Sequence, residues 1–230
     1  MDLLVIVLGS YFFFGYKMDP RSSGVDSDEQ ASKKIKVDST VSSVLYDYFR
    51  NDSVAQVNSR TGEEITFEII TNDGTDNSCL KLIALKNIFS RQLPKMPKEY
   101  IVRLVFDHRH ISIAIVRSGR IIGGICYRPY YEQRFGEIAF CAINSNEQVK
   151  GYGSILMNQL KNHVQKDSKY DAFSKSAFMF VLELEYFLTY ADNFAIGYFQ
   201  KQGFSRHIVM PKERYAFQAS TVLQVIYYFN

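Results

Sequence analysis

The stretch Glu137–Ser154, EIAFCAINSNEQVKGYGS, decides how this chain is read. Phe135–Ile143, apolar apart from Glu137, is expected as a strand. A short polar loop follows, and a helix is expected over Gly151–Val164, with Leu156, Leu160 and Val164 on one side. Between them, Gln148-Val149-Lys150-Gly151-Tyr152-Gly153 has the form Q-x-x-G-x-G. Glycines allow a backbone to approach an anion with no Cβ in the way. The first N–H groups of a helix lack acceptors and, with the helix dipole, suit phosphate oxygens. No Gly-Lys-Ser/Thr follows, so this is not a P-loop, and the spacing is not that of a dinucleotide fingerprint. Alone, the pattern is equally well read as a plain glycine turn.

Working outward, Ile65, Phe67 and Ile69 alternate with polar residues as a half-buried strand ending at Asn72-Asp73-Gly74. Leu82, Leu85 and Phe89 mark a helix closed by Pro94, and a short helix is expected after Pro97. Ile111, Ile113 and Ile115 predict a strand that turns at Ser118-Gly119 into Ile121–Tyr127 as a hairpin. Downstream, a strand is expected at Tyr186–Tyr190, a helix at Phe194–Gln202 stopped by Gly203, and a strand over Phe204–Val209. Strands alternate with helices but include antiparallel hairpins, so the fold class is mixed α/β around one sheet.

Composition narrows the function classes. The 230 residues are 47% hydrophobic, enough for a core and too much for a wholly disordered chain. Cys79, Cys126 and Cys141 form no disulfide framework or zinc knuckle, which favours a reducing compartment. Four scattered histidines predict no metal site. Lys and Arg exceed Asp and Glu by 27 to 24, a net charge of +3, which is no footprint of a dedicated nucleic-acid binder. Residues 3–16 are uncharged and apolar, but shorter than the roughly 20 residues of a membrane span and without a positive region before them, where Asp2 is the one charge. They read as an extension unrelated to the fold, with an anchor or signal peptide as the alternative. Residues 17–40 read as a disordered linker, and Lys33-Lys34-Ile35-Lys36 as a solvated charge run or a nuclear-import patch.

The glycine stretch resembles motif A of the GNAT acetyltransferase superfamily, and its surroundings resemble the PCAF-type nuclear histone acetyltransferases. The resemblance is carried by Gln92–Tyr100 (QLPKMPKEY), Gly123-Gly124-Ile125, Phe140–Ile143 (FCAI), Glu147–Gly153, Tyr186–Asn193 (YFLTYADN), Ala195–Phe199 (AIGYF) and Lys201–Phe204 (KQGF). It runs over roughly residues 64–215 and implies an α/β GNAT fold, a mixed, mostly antiparallel sheet flanked by helices, that transfers acetyl from acetyl-CoA to a lysine amine of a histone tail. A nuclear location and a transcription coactivator complex are implied with it, without metal, sequence-specific nucleic-acid binding or membrane attachment.

The implied chemistry suits the residues. Free lysine, with a pKa of about 10.4, arrives protonated at neutral pH and needs a base before it can attack a thioester. Glu137 matches the family's general base, and its apolar neighbours would raise its pKa; otherwise it reads as a strand glutamate facing solvent. Simple alternation puts Glu137, Ala139, Cys141 and Ile143 on one strand face. The resemblance assigns cofactor contacts to Cys141, Ala142 and Ile143, with a Cys141 N–H suited to a developing oxyanion. It assigns the diphosphate to Gln148, Val149, Lys150, Gly151, Tyr152, Gly153 and Ser154. Phe194, Ala195, Ile196, Gly197, Tyr198 and Phe199 line the channel's other side. Acetyl transfer through a Cys141 thioester is the weaker reading, because no histidine neighbours it in sequence. Tyr130-Tyr131 and Tyr227-Tyr228 read as packing or loop residues.

Three departures from the family pattern bear on activity. An apolar insertion lies around residues 170–184, residues 216–230 form an atypical tail, and no bromodomain follows. The expectation is a domain over 63–215 preceded by a non-globular segment, with its last strand missing or altered. A CoA-binding but catalytically impaired module is then the alternative to an active enzyme. Such abrupt junctions suggest a chain assembled with noncoding sequence, which continuous transcript reads across them would refute.

Overall fold

A computed structural model of the chain describes residues 54–166, 184–191, 195–215 and 224–228. The expected N-terminal extension and linker and the bulk of the insertion lie outside these residues. The described elements are β1 (Val54–Val57), β2 (Glu64–Ile70), α1 (Asp76–Gln92), α2 (Lys98–Val105), β3 (Ile111–Arg117), β4 (Arg120–Tyr130), β5 (Phe135–Ile143), α3 (Tyr152–Lys166), β6 (Tyr186–Tyr190), α4 (Ile196–Lys201), α5 (Lys212–Tyr215) and β7 (Gln224–Tyr228). The strands form one seven-stranded sheet in sequence order. Every neighbouring pair is antiparallel except β5 and β6, which run parallel. This is the mixed, mostly antiparallel sheet expected.

Local chemistry explains the elements that frame the site. Thr75 caps α1 by accepting from the Ser78 N–H, with Asp76 in the first turn where the dipole favours it. Pro94 follows shortly after the helix ends. The β3–β4 hairpin turns through Ser118 and Gly119, both at positive φ (49° and 72°), the combination that matches strand twist in a two-residue loop.

Two apolar clusters hold the layers together. On one sheet face, α3 and α4 (Leu156, Leu160, Phe199) pack on Ile113, Ile125, Ile138 and Cys141. On the other, α1 and α2 (Leu85, Phe89, Ile101) pack on Ala114, Phe140 and Ala142. Each fully buried Leu or Phe contributes about 1.5–3 kcal/mol, so the sheet is fixed from both sides.

Two expectations need correction and a third is narrowed. First, the sheet starts at β1, upstream of the 63–215 segment read as globular; a four-residue strand in polar sequence gives too short a pattern to detect. Second, residues 204–209 form no strand. Phe204, Ile208 and Met210 anchor the segment to the core, but both edges of β6 are already paired with β5 and β7, so no sheet edge is available there. Third, the last strand is altered rather than missing. The tail supplies β7, which pairs with β6 from Tyr186↔Tyr228 to Tyr190↔Gln224.

Candidate active site

The site begins where two parallel strands part. β5 pairs with β6 only from Phe135↔Tyr186 to Ile138↔Thr189, whereas it pairs with β4 out to Ile143↔Gly123. Beyond Ile138 a notch therefore opens beside β5. The Asn144 N–H donates to the Ile122 carbonyl on β4 at 2.9 Å. Main-chain direction alternates along a strand, so Ala142 also faces β4, while the polar groups of Cys141 and Ile143 face the notch. The Ile143 carbonyl accepts from Gln148 Nε2 at 3.0 Å on that side. An internal strand edge of this kind can pair with an extended, amide-bearing molecule.

A cavity of about 350 Å³ continues from the notch to the start of α3. Cys141, Ala142, Ile143, Gln148, Val149, Gly151, Tyr152, Gly153, Ser154, Gly197 and Tyr198 all line it. Gly151 lies at φ 85°, where a side chain would be strained, and Val149 at φ 71°. The Ser154 and Ile155 N–H groups turn back to the Gly151 carbonyl, so those of Tyr152 and Gly153 lead the helix without an intrahelical acceptor. Gly153 answers to Tyr198. The phenol donates to the Gly153 carbonyl at 2.8 Å, and a Cβ at 153 would sit 3.3 Å from the ring.

Side chains hold this loop from behind. Arg117 reaches Glu147 with two N–H groups at 2.5 and 2.7 Å, and Lys150 Nζ adds a contact at 3.0 Å. Arg117 also bonds Glu63, which accepts from the Tyr152 hydroxyl at 2.9 Å. Glu147, which lines the cavity, is thus neutralised by two cations. The loop is tied to β2 and to the β3–β4 hairpin.

The remaining expected contacts fall elsewhere. Lys150 is turned to Glu147 rather than to the cavity lining. Ala195, Ile196 and Phe199 are buried behind the lining and seat α4, in which the Tyr198 and Phe199 N–H groups make the first turn by donating to the Ala195 carbonyl. Phe194 lies outside the described residues. Sequence reasoning missed four lining residues, Arg60, Glu147, Lys201 and Gln202. Glu147, Lys201 and Gln202 stand inside the strings that carry the resemblance, whereas Arg60 lies upstream of the segment read as globular and left no signal.

Glu137 lies where β5 and β6 are still paired, opposite Leu188 of β6 and Arg128 of β4. It does not share a face with Cys141 and Ile143, as simple alternation predicted. Cys126 pairs with Phe140 and Tyr127 with Ile138, so Ala139 is an extra residue. That β-bulge shifts the alternation by one. Ile138, Cys141 and Ile143 consequently meet the α3 side, whereas Ala139, Phe140 and Ala142 meet the α1 side. Glu137, next to Ile138 and opposite to it in direction, belongs with the latter.

The half-buried Glu137 carboxylate accepts from the Tyr130 hydroxyl at 3.2 Å. Burial raises its pKa above the ordinary glutamate value, against the lowering effects of Tyr130 and of nearby Arg128. Tyr130, read from sequence as packing, stacks on Phe135 at 4.7 Å and carries the Arg128 guanidinium 4.6 Å from its ring centre. Burial and the Glu137 charge push Tyr100 up to about 12, so this phenol stays protonated nearby. The buried Cys141 thiol is likewise pushed up to about 12 by desolvation. It is a poor thiolate nucleophile at neutral pH.

Strands splayed around a glycine-led helix, with a carboxylate of raised pKa at the closed end of the notch, define an acyl-transfer type of site. Residues 82–204 match the acetyltransferase (GNAT) family, and the chain belongs to that family. It is 54% identical over 151 residues to the histone acetyltransferase GCN5 of Oryza sativa subsp. japonica, covering 66% of this chain and 27% of that protein. It is 46% identical over 167 residues to GCN5 of Yarrowia lipolytica, covering 72% of this chain and 33% of the relative. The matched part is thus a third or less of these curated relatives. Among solved structures, Tetrahymena GCN5 aligns at a TM-score of 0.62 and 50% identity, over 71% of this chain and 96% of that one. The catalytic domain of Tetrahymena GCN5 in complex with coenzyme A aligns at 0.54 and 50% identity, over 71% and 92%.

Proposed function

We propose that the chain is a protein-lysine N-acetyltransferase that uses acetyl-CoA and acts on histone tails in the nucleus, within a transcription coactivator complex. The observation that carries this is the pairing, across one notch, of an amide-lined cavity on the α3 side with the Glu137 carboxylate on the α1 side. Two reactants can then approach the gap in β5–β6 from opposite faces and meet between the strands. Half-identity to GCN5 proteins over this region supports the histone as acceptor.

The residues fit the cofactor. Phosphate oxygens suit the leading N–H groups of α3 at Tyr152 and Gly153, where Gly151 leaves the backbone bare. A pantetheine-type arm carries amides that suit the exposed edge at Cys141 and Ile143. Acetyl-CoA supplies the thioester whose carbonyl is attacked. Glu137 takes the proton from the lysine ammonium, directly or through one water, and a raised pKa makes it a better base near neutrality than an exposed glutamate. The Cys141 N–H, held rigid in β5, donates to an oxygen as negative charge builds on it. Cys141 takes no covalent part.

The impaired-module alternative rested on a missing last strand. β7 pairs with β6 along that edge, which supports the active reading. Purified chain incubated with acetyl-CoA and a histone-tail peptide should release CoA and yield peptide acetylated on a lysine side chain, detected by mass spectrometry. Tight CoA binding with no peptide acetylation overturns the proposal.

A further inference from the structure

We infer that Arg60, in the β1–β2 loop, is an anion-binding residue of the cavity that takes the diphosphate of CoA. The inference rests on the proposed function and adds a ligand contact from outside the glycine motif.

The loop is docked on the cradle. Asn58 is fully buried, and its Nδ2 donates to the Lys150 carbonyl at 3.1 Å while its Oδ1 accepts from the Arg60 N–H at 2.9 Å. The Gly62 N–H closes the turn on the Asn58 carbonyl at 2.8 Å. A buried amide satisfied this way fixes the loop, since an unpaired one would leave its desolvation uncompensated. Arg60 thereby lies along Gly151. A Cβ on that glycine would come within 3.1 Å of Arg60 Cδ and 3.2 Å of its Nε, and Nη1 donates to the Val149 carbonyl at 3.4 Å.

The guanidinium is exposed, lines the cavity and has no carboxylate partner among the described residues. Its single bond to Val149 leaves most of its N–H donors available. Glu147, the acidic group of the lining, is occupied by Arg117 and Lys150. Charge is therefore unbalanced at this point, beside the N–H groups of Tyr152 and Gly153. A planar fork of donors there matches phosphate oxygens. The diphosphate is favoured over the 3′-phosphate because Arg60 borders the same loop, Val149–Gly151, as the leading amides.

The test is titration calorimetry of the full chain and its Arg60→Ala variant with three probes: CoA, 3′-dephospho-CoA and phosphate-free S-acetylpantetheine. A charge-assisted hydrogen bond of this kind predicts about a tenfold loss of affinity, equal for CoA and dephospho-CoA and absent for S-acetylpantetheine. The dependence of CoA affinity on salt should flatten, whereas loss of a merely structural contact to Val149 would leave it unchanged. Arg60→Lys should recover part of the affinity. A loss confined to CoA reassigns Arg60 to the 3′-phosphate and overturns the inference. Unchanged CoA affinity in Arg60→Ala overturns it too and leaves the proposed function standing. If the unmodified chain binds none of the probes, it is the proposed function that fails, and this inference falls with it.

Discussion

The two sides of the notch are built on different principles. On the α3 side the working groups are main-chain amides, fixed by a positive-φ glycine, by the Tyr198–Gly153 bond and by the Arg117–Glu147–Lys150 network. On the α1 side a single carboxylate is held by one phenol and tuned by burial and by Arg128. Backbone sites tolerate side-chain changes but not distortion, and a side-chain site has the opposite weakness. Mutations on the two sides should therefore separate into effects on cofactor affinity and effects on turnover and pH dependence.

The largest effect is expected from Glu137→Gln, which keeps shape and removes the proposed base. Turnover should fall by about 10²–10⁴-fold, the typical worth of a general base. CoA affinity, measured by calorimetry, should change little, because the carboxylate lies outside the cavity lining. A parallel loss of CoA affinity would erase the distinction between the sides.

Gly151→Ala comes next, acting on the other side. It forces a side chain into the left-handed region and against Arg60. About 1–2 kcal/mol of backbone strain is expected. This should be read as weaker CoA binding, with turnover at saturating acetyl-CoA largely kept. Arg117→Leu sharpens the same point by removing the two-pronged partner of Glu147. Glu147, left with Lys150 as its one remaining cation, then turns excess negative charge toward the phosphates, and CoA affinity should drop several-fold, more steeply at low salt.

The smallest effect, and the most discriminating, belongs to Tyr130→Phe. The Tyr130 hydroxyl stabilises the charged form of Glu137, so its loss raises the glutamate pKa further. The acid limb of the kcat/KM profile should move to higher pH, while the rate well above the limb stays within about twofold, the packing of the ring being kept. An unmoved limb would separate Tyr130 from the base.

These residues also mark what the sequence could disclose. Strand β5, the glycine turn and α3 were legible because their signals are local: an apolar run, two glycines two apart, and a helical stripe at Leu156, Leu160 and Val164. The Ala139 bulge was not, because it exists only in the register between β4 and β5, and it put Glu137 on the face opposite to the one alternation gave. Tyr130 reads as packing until its hydroxyl is seen at Glu137. Arg60 and Asn58 sit in polar sequence without periodicity, and their roles arise from contacts to residues near 150. Phe204–Val209 carried a true strand-like signal, but its would-be neighbour β6 was already paired on both sides. A strand needs a partner as well as a pattern.

The most direct measurement is the pH dependence of kcat/KM for histone-peptide acetylation, in the unmodified chain and in Glu137→Gln side by side. Protonation of a carboxylate whose pKa burial has raised predicts an acid limb above the ordinary glutamate range in the unmodified chain. In Glu137→Gln that limb should vanish into a low rate that follows only the ionisation of the lysine amine itself. If the variant retains both the limb and the rate, another group accepts the proton, and the two-sided account of the notch is wrong.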